Sequence, residues 1–408
     1  MNYMKILYGV QATGNGHISR SRVMAQELAN QGIEVTFLFS GREPEKLFDM
    51  QVFGDYMYRK GLTFTVEEGQ VRYFKTWWNN SLTQFFHDVR TLDVSQYDLI
   101  ITDFEPVTAW AGKLNNKRVL GLGHQYAFGS QTPRAGSNLL AETILKYFAP
   151  ADIPMGLHWH RFANNILPPI IDTTLSSTAA NRCNNHETIY KQSPEDEPFY
   201  LVYLPFEDQK WVTQQLNQLP EYQFRQYSSE LSNQTSRNVA LRTACYHGFK
   251  EDLKQASGVI CNTGFELISE CLHLGLPILT RPLAGQIEQL SNAEALNRLD
   301  VANTTTNINS QIIGAWLREH ALKQPKQSGN FNGNKRARHH MLWPNVAYEV
   351  VHWLQEGDWD KAEHLSNRLW QRYQDAQYTD QAAHKTVTND TVQPFHQSNN
   401  SFSIKRVI

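Results

Sequence analysis

Short apolar runs alternate with helical patterns along the first third of the chain. Residues 5–10 form an apolar run without polar alternation, which is typical of a parallel strand buried on both faces. A glycine-rich turn follows, and residues 18–30 then show helical spacing that ends at Gly32. Similar apolar runs occupy residues 34–39, 97–102 and 117–122. Strands separated by helices predict a doubly wound parallel sheet, whose ligands bind at the carboxyl ends of the strands.

The second half of the chain repeats this organisation. After an irregular, proline-interrupted stretch, a new α/β unit begins at residues 199–204. It continues through a helix at 209–219 and strands near 222–227, 239–243, 258–261 and 276–280. The pattern predicts an α/β protein with two similar sheets.

These patterns divide the chain into five parts. We expect an N-terminal domain over residues 1–170, a linker over 171–197 and a C-terminal domain over 198–322. Two amphipathic helical segments lie within residues 344–373. Residues 375–408 are rich in Gln, Asn, Thr and Ser and are expected to form a disordered tail.

The composition excludes several classes of protein. The chain has 38 Lys and Arg against 40 Asp and Glu, a net charge of −2, which does not suit non-specific binding to nucleic acid. No apolar run approaches the roughly 18 residues that span a bilayer, and the first strand begins too early for a secretory signal. The four cysteines lack zinc-site spacing, and scattered thiols are typical of the reducing cytosol. We expect a cytoplasmic protein of two domains.

The first glycine-rich turn, Gly14-Asn-Gly16, lies between a predicted strand and a predicted helix. Glycines in such a turn let the backbone approach a ligand closely and direct free amides towards it. A dinucleotide site would also require an acid at the end of the next strand, where the sequence has Ser40-Gly41-Arg42. Arg42 would suit a 2′-phosphate. The sequence therefore allows a nicotinamide-dependent reductase only if its cofactor is the phosphorylated form.

His17, directly after this turn, is a candidate general base. In the first turn of a helix, the positive end of the dipole favours a neutral imidazole, which is the form that a base needs at pH 7. Asp103, at the end of a later strand, would reach the other ring nitrogen from the same edge of the sheet. Two alternatives are open: Glu105 replaces Asp103, or His17 only caps its helix. His124 follows another strand and is either a substrate contact or a satisfied loop histidine.

The densest pattern of candidate residues lies between 258 and 293. A strand leads through the tight turn Thr263-Gly264 into a helix, whose N-terminus is a ready site for a phosphate. Thr263 and Glu266 fit a capping box. Glu270, one turn further, is not needed for capping and could accept two hydrogen bonds from a ribose diol.

The next helix of the second half begins with Glu288 and Gln289. Paired acceptors and donors at the carboxyl end of a strand suit the hydroxyl groups of a sugar. An ordinary polar helix start is the alternative interpretation of these two residues.

Together these motifs resemble those of GT-B glycosyltransferases. The resemblance rests on Gly-Asn-Gly-His-Ile-Ser-Arg in the first half and on Thr-Gly-Phe-Glu-Leu-Ile-Ser-Glu, Gly-Leu-Pro and Gly-Gln-Ile-Glu-Gln-Leu-Ser-Asn-Ala in the second. It covers residues 4–320 and is nearest to the branch that contains MurG and the UDP-glycosyltransferases. Within that branch, a bacterial and archaeal subgroup starts with the same first motif. The resemblance implies two Rossmann-like domains facing each other across a cleft, with the late helices packed back on the first domain.

The resemblance also implies roles for individual residues. His17 would be the catalytic base and Asp103 its partner. The donor, a nucleoside diphosphate sugar such as a UDP-sugar, would be bound by Gly14, Gly16, Thr263, Gly264, Glu270, Glu288, Gln289 and Asn292. Four further residues are candidates to bind the acceptor or to position the residues that bind the ligands. They are Glu105, His124, His247 and Arg281.

The implied reaction is transfer of a hexose-type sugar to an acceptor hydroxyl with inversion at the anomeric carbon. The second-domain helix dipole would stabilise the departing diphosphate, so neither a metal nor another cofactor is expected. The sequence departs from the family at Glu207-Asp208, where relatives often carry a Gly- and Ser-rich phosphate loop. Asp358-Trp-Asp360 matches a metal-binding Asp-x-Asp motif, but its place between two helical segments favours a helix stop and N-cap.

Other functions on the same fold are open. A sugar-nucleotide 2-epimerase needs several carboxylates around the sugar, and the edge of the first domain offers mainly His17, Asp103 and Glu105. A non-catalytic nucleotide-sugar-binding protein would keep the donor site alone.

The sequence does not identify the acceptor, which could be a saccharide, a lipid or a small molecule. It does not identify the oligomeric state either. No nucleic acid is expected as a partner. Peripheral contact with the inner face of a membrane would involve aromatic residues of the first half, although the helical spacing of some of them favours packing in the core. These residues are Tyr73, Phe74, Trp77, Trp78, Phe85 and Phe86.

Overall fold

The computed structural model shows two α/β units followed by two further helices. It describes residues 4–62, 66–67, 70–71, 82–129, 131–135, 143, 145–175, 197–321 and 340–390. Most of the expected linker (176–196), the aromatic residues Tyr73 to Trp78 and the end of the expected tail (391–408) lie outside the described residues. Each unit contains one seven-stranded sheet, which confirms the predicted α/β class with two Rossmann-like halves.

The first half is built on a parallel sheet with the order β3-β2-β1-β6-β7-β8-β9, beside a separate β4-β5 hairpin. Its strands are β1 (Lys5–Gln11), β2 (Glu34–Ser40), β3 (Met57–Tyr58), β4 (Val66–Glu67), β5 (Gln70–Val71), β6 (Leu99–Asp103), β7 (Val119–Gly123), β8 (Ile153–Leu157) and β9 (Ile166–Leu167). In this register Val10 lies beside Asp103. The glycine turn after β1 and the end of β6 are therefore neighbours.

The second half has the order β12-β13-β11-β10-β14-β15-β16, in which only the β12-β13 pair is antiparallel. Its strands are β10 (Phe199–Tyr203), β11 (Gln223–Ser228), β12 (Gln234–Ser236), β13 (Val239–Thr243), β14 (Val259–Asn262), β15 (Ile278–Arg281) and β16 (Asn303–Thr304). Asn262 pairs with Arg281, so the turns after β14 and β15 lie side by side at the carboxyl edge.

Helices connect the strands of both sheets, as expected for parallel neighbours that cannot be joined by tight turns. The described α-helices are α1 (Asn15–Asn30), α2 (Leu82–Thr91), α3 (Pro106–Leu114), α4 (Gln209–Leu216), α5 (Tyr246–Gln255), α6 (Phe265–His273), α7 (Ile287–Leu299), α8 (Ser310–Ala321), α9 (Val346–Glu356) and α10 (Ala362–Asp390). On α2, Phe85 is buried and Phe86 is exposed, so only the first of these two aromatic residues packs in the core.

The last helix corrects one sequence expectation. Residues 375–390, which we expected to belong to a disordered tail, continue α10 without a break. Three Ala and two Gln lie among these residues, and their high helix propensity favours the continuation of the helix through a polar sequence. The same helix contacts the first half, because the Ser366 hydroxyl and the Trp370 indole N–H both donate to the Ile166 carbonyl at 2.7 Å.

One apolar cluster runs through both halves and the last two helices. It includes Tyr8 of the first sheet, Trp159 after β8, Phe265 of the second half and Trp353 of α9. Trp159 stacks on Phe265 with ring centroids 5.1 Å apart, and its indole N–H donates to Ser269 at 2.8 Å. Burial of such rings is a large favourable term, so the halves are held together by packing as well as by polar contacts. Within the described residues, no helix is both long enough and apolar enough to cross a bilayer.

Candidate active site

Side chains near the carboxyl ends of strands in both halves meet at the contact between the halves. In the first half, His17 is the third residue of α1 and Asp103 is the last residue of β6. His17 Nδ1 lies 2.8 Å from Asp103 Oδ1. When Nδ1–H donates to this carboxylate, Nε2 keeps the lone pair that a base requires. Asp103 is fully buried, whereas 14% of the His17 side chain is exposed, so the ring is accessible from one side.

Arg20, one turn further along α1, lies behind this pair. Its Nε donates to Asp103 Oδ2 at 3.0 Å and its Nη2 donates to Asp103 Oδ1 at 2.5 Å. The remaining group, Nη1, donates to Glu266 of the second half. Only 2% of the Arg20 side chain is exposed. One guanidinium therefore joins the His17–Asp103 pair to α6 across the contact between the halves.

The buried charges stabilise one another. Burial on its own raises the pKa of Asp103, but the charge of Arg20 and the hydrogen bonds from Arg20 and His17 outweigh it, so the pKa lies below its usual value. Burial lowers the pKa of Arg20, and Asp103 and Glu266 more than compensate, so it lies above its usual value. The pair formed by Arg20 and Asp103 is therefore charged at neutral pH.

The N-terminus of α6 follows β14 directly, and its N-cap is Gly264. The capping box predicted for Thr263 and Glu266 is wrong. The Thr263 hydroxyl instead accepts a hydrogen bond from Thr280 at 2.9 Å, and the Glu266 carboxyl contacts Arg20. Within the described chain no side chain caps this helix, so its first amides keep the partial positive charge that favours an anion.

Glu266 is an acid in an unusual environment. Burial raises its pKa to about 8, against the opposing charge of Arg20. A raised pKa favours the protonated acid, which places no negative charge in the first turn of α6 and so suits an anionic ligand at the helix N-terminus.

Gln125, which follows β7, lies between the candidate base and the second half. Its side-chain Nε2 donates to Glu288 at 2.9 Å and lies 3.4 Å from His17 Nε2. Glu288 of α7 is thus brought close to the imidazole. Gln289, the next residue, is buried, and its side-chain oxygen accepts a hydrogen bond from the Leu283 amide at 3.0 Å.

His124 is buried, and both of its ring nitrogens face protein oxygens rather than an open site. Its Nδ1 lies 2.7 Å from the Leu157 carbonyl, and its Nε2 lies 2.7 Å from the side-chain oxygen of Asn292. The ring stacks on Phe265 at 3.9 Å, and burial lowers its pKa. Asn292 also donates to the Thr263 carbonyl at 3.1 Å. These two residues join the halves and support the turn before α6.

A small cavity lies beside this cluster, between the glycine turn of the first half and α6. Its volume is about 100 Å³, and its lining includes Asn15 and Gly16 of the first half with Tyr203, Glu266 and Glu270 of the second. Glu270 is buried in an ion pair with Lys250. Pockets for organic ligands typically have volumes of about 300–1,000 Å³, so a nucleotide sugar needs more room than this arrangement offers.

A larger cavity of about 620 Å³ lies on another part of the second carboxyl edge. Glu207, Asp208, Trp211 and Arg281 contribute to its lining. Glu207 forms an ion pair with Arg281, and Asp208 caps α4 by accepting a hydrogen bond from the Trp211 amide at 2.8 Å. The loop after β10 therefore presents carboxylates where a phosphate would need donors.

Glu105 does not take the place of Asp103. Its carboxylate caps α3 by accepting hydrogen bonds from the amides of Val107 and Thr108, and burial raises its pKa. His247 lies on the exposed side of α5 with its ring beside Tyr246.

The glycine turn serves contact between the halves. A Cβ on Gly16 would lie 3.1 Å from Cγ of Glu266, so glycine permits the close approach of α1 to α6. Gly14 is the N-cap of α1. Arg42, the candidate for a 2′-phosphate, donates to Asn15 at 2.8 Å and to the Thr13 carbonyl at 3.0 Å, so it braces this turn.

The Asp358-Trp-Asp360 motif is occupied by ion pairs. Asp358 pairs with Lys361, and Asp360 pairs with Arg118 of the first half. The described residues contain no group of three or more His, Cys, Asp or Glu side chains arranged to hold a metal ion.

The family of the chain follows from its match to a known protein family. The model described as glycosyl transferase family 1 matches residues 4–320, which is most of the chain. The chain belongs to glycosyl transferase family 1. No curated protein sequence matches this glycosyltransferase.

Solved glycosyltransferase structures share the fold. The calicheamicin glycosyltransferase CalG4 aligns over 90% of this chain and 100% of its own, with 14% identity and a TM-score of 0.55. MurG from Acinetobacter baumannii aligns over 87% and 99%, with 13% identity and a TM-score of 0.51. SsfS6 from Streptomyces sp. SF2575, complexed with thymidine diphosphate, aligns over 87% and 100%, with 10% identity and a TM-score of 0.51.

Several residues of this candidate site were not predicted from the sequence. Arg20 and Gln125 were not singled out as candidates, and Glu266 was interpreted as a cap. A signal for Arg20 was present, because it follows His17 by three residues and so lies on the same face of the helix. The partnership with Glu266 had no local signal, because 246 positions separate the two residues.

Proposed function

We propose that this chain is an inverting glycosyltransferase that moves a hexose-type sugar from a nucleoside diphosphate sugar to an acceptor hydroxyl. The observation that carries the proposal is the His17–Asp103 pair, joined through Arg20 to the N-terminus of α6 in the other half. A base and an anion site thus face each other from two domains, which is the arrangement that direct displacement of a diphosphate needs.

His17 acts as the base in this proposal. Asp103 holds the Nδ1–H, and Nε2 takes the proton of the acceptor hydroxyl as its oxygen attacks the anomeric carbon. The bond from that carbon to the diphosphate oxygen breaks on the opposite face, so the configuration inverts. The proton ends on His17, and the electron pair of the broken bond leaves with the diphosphate.

The donor diphosphate binds at the N-terminus of α6 in this proposal. The amides after Gly264 and the helix dipole stabilise the charge that grows on the leaving group, so the reaction proceeds without a metal ion. Glu270 receives the ribose once it exchanges its bond to Lys250, and Glu288 with Gln289 receives the sugar. The thymidine diphosphate bound by SsfS6 supports a nucleoside diphosphate as donor.

The halves move apart when the donor enters. The present cavity of about 100 Å³ is too small for the donor, and contacts such as Arg20–Glu266 cross the site. Hinge opening of two domains around a ligand is a common way to resolve such a conflict.

We place the protein in the cytoplasm, because the described Cys245, Cys261 and Cys271 are free thiols.

A screen of nucleotide sugars on the purified chain tests the proposal. We expect one UDP-, dTDP- or GDP-sugar class to raise the melting temperature, since a ligand at 100 times its Kd stabilises the folded state by about 2.7 kcal/mol. With that donor and a set of saccharide and lipid acceptors, NMR should show a product of inverted anomeric configuration, also in the presence of EDTA.

Each other outcome of this screen contradicts the proposal. Appearance of the 2-epimer of the donor indicates an epimerase, and binding without turnover of any acceptor indicates a sensor. Preference for NADP over every nucleotide sugar indicates a reductase. Loss of transfer in EDTA shows that a metal takes part in the reaction.

The raised pKa of Glu266 predicts how nucleotide binding depends on pH. Glu266 ionises as the pH rises through about 8, and a negative carboxylate then faces the diphosphate. The other charges around it are Arg20, Asp103, Glu270 and Lys250. We expect the affinity for UDP, measured by calorimetry, to fall by up to about tenfold between pH 8 and pH 9.

Two variants test whether Glu266 causes this dependence. Glu266→Gln removes the ionisable group and should make UDP affinity nearly constant from pH 7 to pH 9. Glu251→Gln changes an exposed residue of α5 and should keep the wild-type dependence. Equal pH dependence in wild type and Glu266→Gln would show that the diphosphate does not approach Glu266.

A further inference from the structure

Arg20 is the buried cation that connects the two halves at the candidate site. It contacts two carboxylates, Asp103 of the first half and Glu266 of the second, and it lies one turn from His17. We propose that Arg20 is a positioning residue that fixes Asp103 and keeps His17 in its proton-accepting state. This inference rests on the proposed function, because it assigns the control of the base used there.

The first step of the argument is geometric. Nε and Nη2 of Arg20 bind the two different oxygens of Asp103, at 3.0 and 2.5 Å. Such two-point contacts fix the plane of a carboxylate, which a single hydrogen bond does not. Oδ1 of this fixed carboxylate also receives Nδ1–H of His17 at 2.8 Å. Arg20 therefore holds the group that selects the tautomer of His17.

The second step concerns charge. Nη2 of Arg20 lies 3.2 Å from His17 Nδ1, so a second proton on the ring would bring two positive charges together. Asp103 alone would act in the opposite direction and stabilise the imidazolium. The other charged groups near the ring come from the second half: Glu266 through Arg20, and Glu288 through Gln125. The positive charge of Arg20 therefore offsets the attraction of Asp103 for a second ring proton.

The third step concerns the second half. The remaining N–H of Arg20 contacts Glu266 in the first turn of α6, where the donor diphosphate is proposed to bind. This contact exists only while α6 lies against α1, so the closed arrangement gives Arg20 a second anchor in addition to Asp103.

The test follows the protonation of His17 directly, without substrate. In the full chain labelled with ¹³C and ¹⁵N in histidine, the ring signals of His17 are assigned by their loss in His17→Gln. In Arg20→Gln we expect the ring to become protonated at a pH higher by about one unit or more than in wild type. The remaining transfer activity of this variant would then recover only at a higher pH than that of the wild type.

Matched variants separate this role from a purely structural one. Arg225→Gln removes another arginine–carboxylate pair, that of a half-buried arginine with Asp252 in the second half, and should leave the His17 titration unchanged. Arg20→Lys keeps the positive charge but loses the two-point contact. In this variant we expect a titration close to wild type, with the two neutral tautomers mixed in the ¹⁵N spectrum and a lower kcat.

The inference is overturned if folded Arg20→Gln titrates at His17 as wild type does. If Arg20→Gln does not fold, Arg20→Lys decides, and an unmixed tautomer with unchanged kcat overturns the inference. If the His17 titration moves in Arg20→Gln but the wild type turns over no nucleotide sugar, the role of Arg20 is supported and the proposed transferase activity is contradicted. If the wild type turns over a nucleotide sugar but the His17 titration is unchanged in Arg20→Gln, only the role of Arg20 is contradicted.

Discussion

Replacement of His17 by alanine should lower the kcat of sugar transfer by about 10²–10⁴-fold, the usual contribution of a general base. The acceptor hydroxyl then loses the group that removes its proton, while the amides at the N-terminus of α6 are unchanged. UDP affinity should therefore remain within about twofold of wild type, and the two quantities are measured by steady-state kinetics and calorimetry.

A second histidine provides the control for this variant. His87 lies on the exposed side of α2, outside the candidate site, so His87→Ala should retain wild-type kcat and UDP affinity. Transfer at an undiminished rate by His17→Ala would remove the imidazole from the mechanism. A loss of UDP affinity equal to the loss of kcat would instead assign His17 to binding.

Replacement of Asp103 by asparagine should reduce both activity and stability. The neutral amide no longer holds the Nδ1–H tautomer of His17, so we expect kcat to fall by about 10²–10⁴-fold. It also leaves the buried Arg20 without its main counter-charge, and breaking such a pair costs about 3–5 kcal/mol. Enzyme kinetics and urea denaturation measure the two effects separately.

Asp252→Asn is the matched control, because buried Asp252 pairs with Arg225 in the second half, away from the dyad. This variant should be destabilised while the protein that remains folded keeps its kcat. If Asp103→Asn and Asp252→Asn lost the same activity, the effect of Asp103 would be general destabilisation and the proposed dyad would have no support.

The fold could be predicted because its signals are local. The apolar runs at β1, β10 and β14 are buried on both faces, and each is followed by a turn and a helix that the sequence also indicates. The extent of α10 was less predictable, because polar helix-forming residues resemble a disordered tail when no neighbouring element is known.

The candidate site was predictable only within each half. His17 and Asp103 could be paired, because parallel strands end at the same edge of a sheet. Contacts across the halves could not, since they depend on how two separate sheets are oriented. Glu266 shows the difference: its spacing from Thr263 predicts a cap, but its side chain is buried against Arg20 of the other half instead.

A crystal structure of the full chain with UDP tests the central claim most directly. The account predicts that the diphosphate oxygens accept hydrogen bonds from the first amides of α6, beyond Gly264, with His17 Nε2 facing them across the space for the sugar and the acceptor. A diphosphate found in the cavity beside Glu207 and Trp211, or one separated from His17 by closed packing of the two halves, would contradict it.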